Sequence, residues 1–261
     1  MKLILVPAST GATWVKLGIQ TFFKQPLAMA GLFFMFTALM SVVSALPWIG
    51  LPLAMVLLPS ITLGLMEGSR QAADGKFPMP LVLLTALRAG PEKVRAMLTL
   101  GALYAVGFVL AMGASYLADG GGFASMYLGT NTPTPEMMTA GPFVAAMWTF
   151  LGLHLPLSLV FWHAPALIYW QNVSVGKSLF FSMVVSWRNL RAMMAFMGLW
   201  MLVMVAGALT PTLVLTLLGA TSLATTLLFP IMLALASMFF TSLYFTYRDS
   251  FEAPDLAQDE E

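Results

Sequence analysis

The sequence predicts an all-α polytopic membrane protein with six transmembrane helices and short interfacial helices on the cytoplasmic side. Three observations carry that prediction. Apolar residues make up 59% of the 261 residues and charged residues only 9%, against about 45–50% and about 25% in soluble domains. Charges are absent over four long runs, Gln25–Met66, Ala96–Ala118, Met137–Gly176 and Ala192–Tyr247. One crossing needs about 20 apolar residues, so these runs hold two, one, one and two spans. Finally, six crossings put all 12 Lys and Arg residues on one side and leave Asp119 and Glu136 on the other, as the positive-inside rule requires.

The spans follow in order. Span one covers about residues 26–46 and ends at the Pro47-Trp48-Ile49-Gly50-Leu51-Pro52 turn. Span two covers about 53–71 with Pro59 inside it, and span three about 96–117. Asp119 to Gly141 then forms the one long loop. Span four covers about 143–169. Pro156 and Pro165 interrupt it, but a split at Pro156 leaves pieces of about 13 residues, too short to cross about 30 Å of hydrocarbon, so one kinked span is expected. Span five covers about 192–209 and stops near Thr210-Pro211, and span six covers about 220–245 with Pro230 inside. Residues 1–248 form one transmembrane domain, followed by an acidic tail, 249–261, expected to be disordered. The start, Met1-Lys2-Leu3-Ile4-Leu5-Val6-Pro7-Ala8, has too short an apolar core for a signal peptide and is read as mature N-terminus. Lys and Arg placement puts both termini in the cytoplasm. Trp48, Tyr116 and Trp148 fit an outer aromatic belt, and Trp14, Tyr169, Trp170, Trp187 and Tyr247 an inner one.

Three apolar segments are too short to cross: residues 13–23, with Lys16, Gln20 and Lys24 as a polar stripe; 80–87, closed by Arg88; and 175–187, closed by Arg188. Each leads through a basic residue into a full span, which suggests three repeats, 10–73, 76–170 and 174–248, each an interfacial helix followed by a hairpin. The alternative is that the topology rule alone places basic residues at inner span ends.

Few residues offer chemistry. His154 and His163 lie in span four with Ser158 between them, and an intramembrane ionisable residue is a functional candidate by default. Nine residues make about 2.5 turns, so the two rings should face opposite ways, about 13 Å apart. The alternative is that each simply satisfies a hydrogen bond between helices. Glu67 and Arg70 are either a polar head-group site or a local ion pair at a helix end. Arg88, Lys93, Arg95, Lys177, Arg188 and Arg191 are candidate contacts for anionic lipid head groups. The Met193, Met197, Met201 and Met204 stripe reads as packing rather than a copper path. Catalytic and phosphate-binding motifs are absent from the sequence, and there is no cysteine. A non-enzyme without cofactor or nucleic-acid partner is expected, acting through membrane lipids or an unknown membrane protein. The alternative is a small-molecule transporter or channel with its site on span four.

Trp14 with Phe22-Phe23-Lys24-Gln25-Pro26-Leu27-Ala28, Phe161-Trp162-His163-Ala164-Pro165-Ala166-Leu167, Lys177-Ser178-Leu179-Phe180-Phe181-Ser182 with Trp187-Arg188-Asn189, and Tyr244-Phe245-Thr246-Tyr247-Arg248-Asp249-Ser250-Phe251 carry a resemblance. Over nearly the whole chain the sequence resembles an uncharacterised family of multi-pass integral membrane proteins of β-proteobacteria. The resemblance implies an inner-membrane location and supplies no activity. More loosely, the chain is similar to membrane domains attached to glycerophosphodiester phosphodiesterases, without their catalytic domain.

Overall fold

The structure, a computed structural model, describes residues 2–252. Six helices are long and apolar enough to cross a membrane, and no strand forms among the described residues. The chain opens with α1 (Thr10–Lys24), which gives way directly to α2 (Pro26–Ser44). Gln25 separates them at φ −140°, ψ 60°, because a residue before proline is driven out of the helical region. α3 (Gly50–Ala73) returns, and two 3₁₀ turns, Pro80–Leu84 and Ala86–Arg88, lead into α4 (Pro91–Asp119). The far loop holds two short helices, α5 (Gly122–Tyr127) and α6 (Pro135–Thr139). Span four is α7 (Gly141–Phe161) and α8 (Ala164–Trp170); α9 (Val175–Arg188), α10 (Leu190–Leu217) and α11 (Thr221–Arg248) complete the chain.

The spans are longer than their charge-free cores suggest. A helix cannot stop inside lipid without stranding backbone groups, so Pro59, Pro156, Pro211 and Pro230 all lie within helices. Span five therefore runs on to Leu217 instead of ending at Pro211. Span four breaks at Trp162 and His163 and not at Pro156. The second short segment is a pair of 3₁₀ turns where an α-helix was expected.

The spans form an open arc. Going round it, α10 packs on α11, α11 on α2 and α3, α3 on α4, and α4 on α7. α7 packs closely on neither α10 nor α11, so the arc has a mouth between α7 and the α10–α11 hairpin. The short segments sit at the end of the arc that carries every Lys and Arg. α1 lies against α10 and α11, the 3₁₀ turns against α3, and α9 against α7 and α8. Each thus rests on the second span of another hairpin. Two glycines make close approach possible: a Cβ on Gly64 would meet the Leu83 carbonyl oxygen at 2.6 Å, and one on Gly101 of α4 would meet the Val56 carbonyl carbon of α3 at 2.6 Å.

At the basic end a continuous core gathers Trp14, Phe22, Leu63, Leu167, Val185, Phe196, Trp200 and Phe245. Trp14 and Tyr247 are therefore buried and not belt residues, because α1 is wedged under α11; Trp14 Nε1 donates to Asp249 Oδ2 at 3.0 Å. In the far half, α4, α5 and α7 form a separate cluster around Phe108, Phe123, Phe143 and Phe150. The ends of the chain meet. Leu3 pairs with Phe251 in an isolated antiparallel bridge, and Asn189 holds the segment before α1 by accepting from Val6 N at 3.0 Å and donating to Ile4 O at 2.9 Å. Asp249 to Glu252 are thus ordered by pairing; the expected disorder of the tail otherwise concerns residues 253–261, which lie outside the described residues.

Candidate functional site

The break in span four organises the site. In an uninterrupted helix the His163 amide would donate to the Leu159 carbonyl. Here it donates to Ser182 Oγ of α9 at 3.0 Å, and Ser182 Oγ donates in turn to Leu159 O at 3.1 Å. Ser186 Oγ adds a second bond to Leu159 O at 3.3 Å. A hydroxyl inserted into the backbone ladder is a known cause of a sharp bend. Pro165, in the first turn of α8, removes a different rung, since it has no amide to donate to Phe161. Ser178, Ser182 and Ser186 recur every four residues on the buried face of α9, so the helix presents a hydroxyl stripe to the break.

His163 lies on this side. It is 1% exposed, its Nδ1 is 3.4 Å from Ser186 Oγ, and its ring meets Phe251 edge-on at 5.5 Å. A tautomer with hydrogen on Nδ1 satisfies both contacts of Ser186, which then accepts from His163 and donates to Leu159. His154 lies elsewhere, stacked on Phe150 at 4.9 Å and edge-on to Phe108 at 5.9 Å. The two histidines do not share a site.

Ser158 faces a cavity of about 190 Å³ inside the arc. Its walls are Leu58, Pro59 and Thr62 of α3, Tyr104 of α4, Ser158 and Phe161 of α7, Trp162 and Pro165 at the break, and Phe239, Phe240 and Leu243 of α11. The walls are apolar apart from the hydroxyls of Thr62, Tyr104 and Ser158 and the indole N–H of Trp162. Two of these are already engaged: Ser158 Oγ donates to His154 O at 2.9 Å, and Trp162 Nε1 donates to Thr246 Oγ1 at 3.1 Å. Neither histidine lines the space, nor does any Ser or Thr of α11. The cavity is open rather than enclosed, and Trp162 at the break bridges it to Phe196 of α10 and Phe239 of α11. Among the described residues no group of acidic or histidine side chains converges as metal ligands would.

The remaining candidates lie at the basic end. Arg70 grips Glu67 with two donors, Nη2 to Oε1 at 2.7 Å and Nε to Oε2 at 2.9 Å, and Gln71 Nε2 adds a third bond at 3.2 Å. The carboxylate is 7% exposed and Arg70 is 46% exposed, so the pair closes the end of α3 upon itself. Lys93 Nζ donates to Tyr169 O at 3.1 Å and sits 5.0 Å above the Tyr169 ring. With Glu92 and Arg95 it edges a cleft of about 380 Å³ beside Asn172 and Ser174 at the start of α9. Arg88, Lys177, Arg188 and Arg191 are exposed around the same end. The sequence reading missed Ser182 and Ser186; their spacing with Ser178 was the available signal.

A probable inner membrane protein of Burkholderia thailandensis is 34% identical over 254 residues, which cover 96% of this chain and 94% of the relative. No family model matches the chain, and no solved structure does. These comparisons lend no support to the looser likeness to glycerophosphodiester phosphodiesterase membrane domains.

Proposed function

The chain belongs to the family of that Burkholderia inner membrane protein, and from this premise we propose that it is a non-enzymatic multi-pass protein that acts by holding a membrane lipid, with part of an acyl chain in the cavity of the arc. The observation that carries the reading is the cavity itself: an open space among the spans with apolar walls and a few hydroxyls. A space of about 190 Å³ exceeds the roughly 150 Å³ that takes up benzene in an engineered apolar cavity, so it suits a segment of chain rather than a whole lipid. Its walls carry no charge to bind or relay an ion. In this reading the basic end lies in the cytoplasm, supported by all 12 Lys and Arg at that end, and Arg88, Lys93, Arg95, Lys177, Arg188 and Arg191 meet anionic head groups. Passage of a small molecule is the second reading, and the broken span four is what favours it.

The test is lipid retention. The protein is purified in mild detergent and its bound lipids are identified by mass spectrometry. Ser158→Trp, which fills the cavity, should lose bound lipid, whereas Leu117→Trp, on a side chain 87% exposed, should not. Equal lipid content in the folded Ser158→Trp protein would overturn the reading.

A further inference from the structure

We propose that Ser182 is a positioning residue: through its bond to the backbone of span four, α9 sets the bend at Trp162–His163 and so the shape of the lipid cavity. The inference rests on the lipid reading above.

The geometry separates two causes of the bend. Pro165 accounts for the missing bond to Phe161 and, through its ring, for a clash with that carbonyl. The rung from His163 N to Leu159 O contains no proline, and both of its groups are free to bond each other. They do not, because Ser182 Oγ stands between them, accepting from one at 3.0 Å and donating to the other at 3.1 Å. That rung is therefore opened from outside the helix. Ser182 is fully buried and does not line the cavity, but residues around the rung do: Ser158 just before it, Phe161 and Trp162 within it, and Pro165 just after it. Any change in the rung moves those four walls relative to α3 and α11. Ser186 reinforces the bond at Leu159 but does not touch the His163 amide, so it cannot replace Ser182.

Without a hydroxyl at 182, the bent form strands a buried amide. The helix then gains by closing the rung directly, which leaves only the gentler bend of Pro165. α9 lies at the basic end, with Lys177 and Arg188 exposed at its two ends. A shift of α9 would act on the cavity through the same bond.

The chain has no cysteine, so one placed at Ser158→Cys reports on the cavity alone. Its rate of labelling by N-ethylmaleimide is measured in lipid-free detergent with Ser182→Ala, Ser182→Val or Ser182→Thr added. Stranding one buried amide shifts a two-state balance by about tenfold, and labelling should change by a similar factor for Ala and Val. Thr, which keeps the hydroxyl and matches Val in shape, should stay within about twofold of the parent rate on the same ground. A parent-like rate in the folded Ala variant would overturn the proposal. So would equal shifts for Val and Thr, which would make the effect one of packing. Because labelling is read without lipid, a cavity that proves to hold no lipid would sink the functional reading and leave this result standing.

Discussion

Gly101 is the position where one methyl group should do most damage to the arc. A Cβ there would meet the carbonyl carbon of Val56 at 2.6 Å and its Cα at 2.9 Å. Both are backbone atoms of α3, so no rotamer change relieves the clash. The Val56 carbonyl oxygen lies nearer still, so the helices must part by more than about 1 Å, a gap that forfeits about half or more of the dispersion energy along the seam. Overpacking of this kind costs about 1–3 kcal/mol. Against it stands the better helix propensity of alanine, worth about 1 kcal/mol. Gly113, on the same helix, has nothing within 4 Å of its would-be Cβ, so Gly113→Ala takes the propensity gain without the clash. The two variants should therefore differ by about 1–3 kcal/mol, or roughly 2–12 °C in thermal midpoint for a chain of this size. Thermal unfolding in detergent, followed by loss of the monomer peak, measures this. Equal midpoints for Gly101→Ala and Gly113→Ala would refute the close packing of α3 on α4. Gly101 lies one turn before Tyr104, so the same variant should also loosen the cavity.

The Glu67–Arg70 pair should respond unequally to its two truncations. Glu67→Gln frees an arginine that is already half in solvent and should cost under about 1 kcal/mol. Arg70→Ala leaves a buried carboxylate with only Gln71 and should cost about 2–3 kcal/mol; similar thermal midpoints would contradict the assigned burial. For orientation, cysteines replacing Arg88 or Arg188 should resist impermeant thiol reagents applied to spheroplasts, and one replacing Glu136 should react. Reaction at Arg88 would reverse the proposed topology.

The six spans were legible because hydropathy is additive along a helix and needs no tertiary contact. Their limits were not, because proline ends a helix in water but not in lipid, and residues 210–217 continue through Pro211 for that reason. The burial of Trp14 was out of reach of sequence: its partner Asp249 is 235 residues away, and an amphipathic segment with a tryptophan reads equally well as lying on the membrane. At the candidate site, Ser158 and the separation of His154 from His163 were legible from helical spacing. The cavity was not, since Pro59 and Thr62, Tyr104, Phe161 and Phe239 come together only when four spans assemble. The break in span four was attributed to its own prolines, whereas the hydroxyl that bridges Leu159 and His163 lies on α9.

The clasp between the chain's two ends bears on how it is made. α1 is synthesised long before α10 and α11, against which it mainly packs, and Leu3 and Trp14 wait for Phe251 and Asp249. At about 5–20 residues per second of translation, the interval between residues 24 and 251 is about 11–45 s. Throughout it α1, with its charged stripe and its tryptophan, has only its smaller contacts with α2 and α3, among them the bond from Lys24 Nζ to Ala73 O, and the membrane surface. The ring of contacts at the basic end closes only after Asp249 and Phe251 have been made, so a chain truncated before Asp249 would insert its spans and leave its first helix without the bond from Trp14.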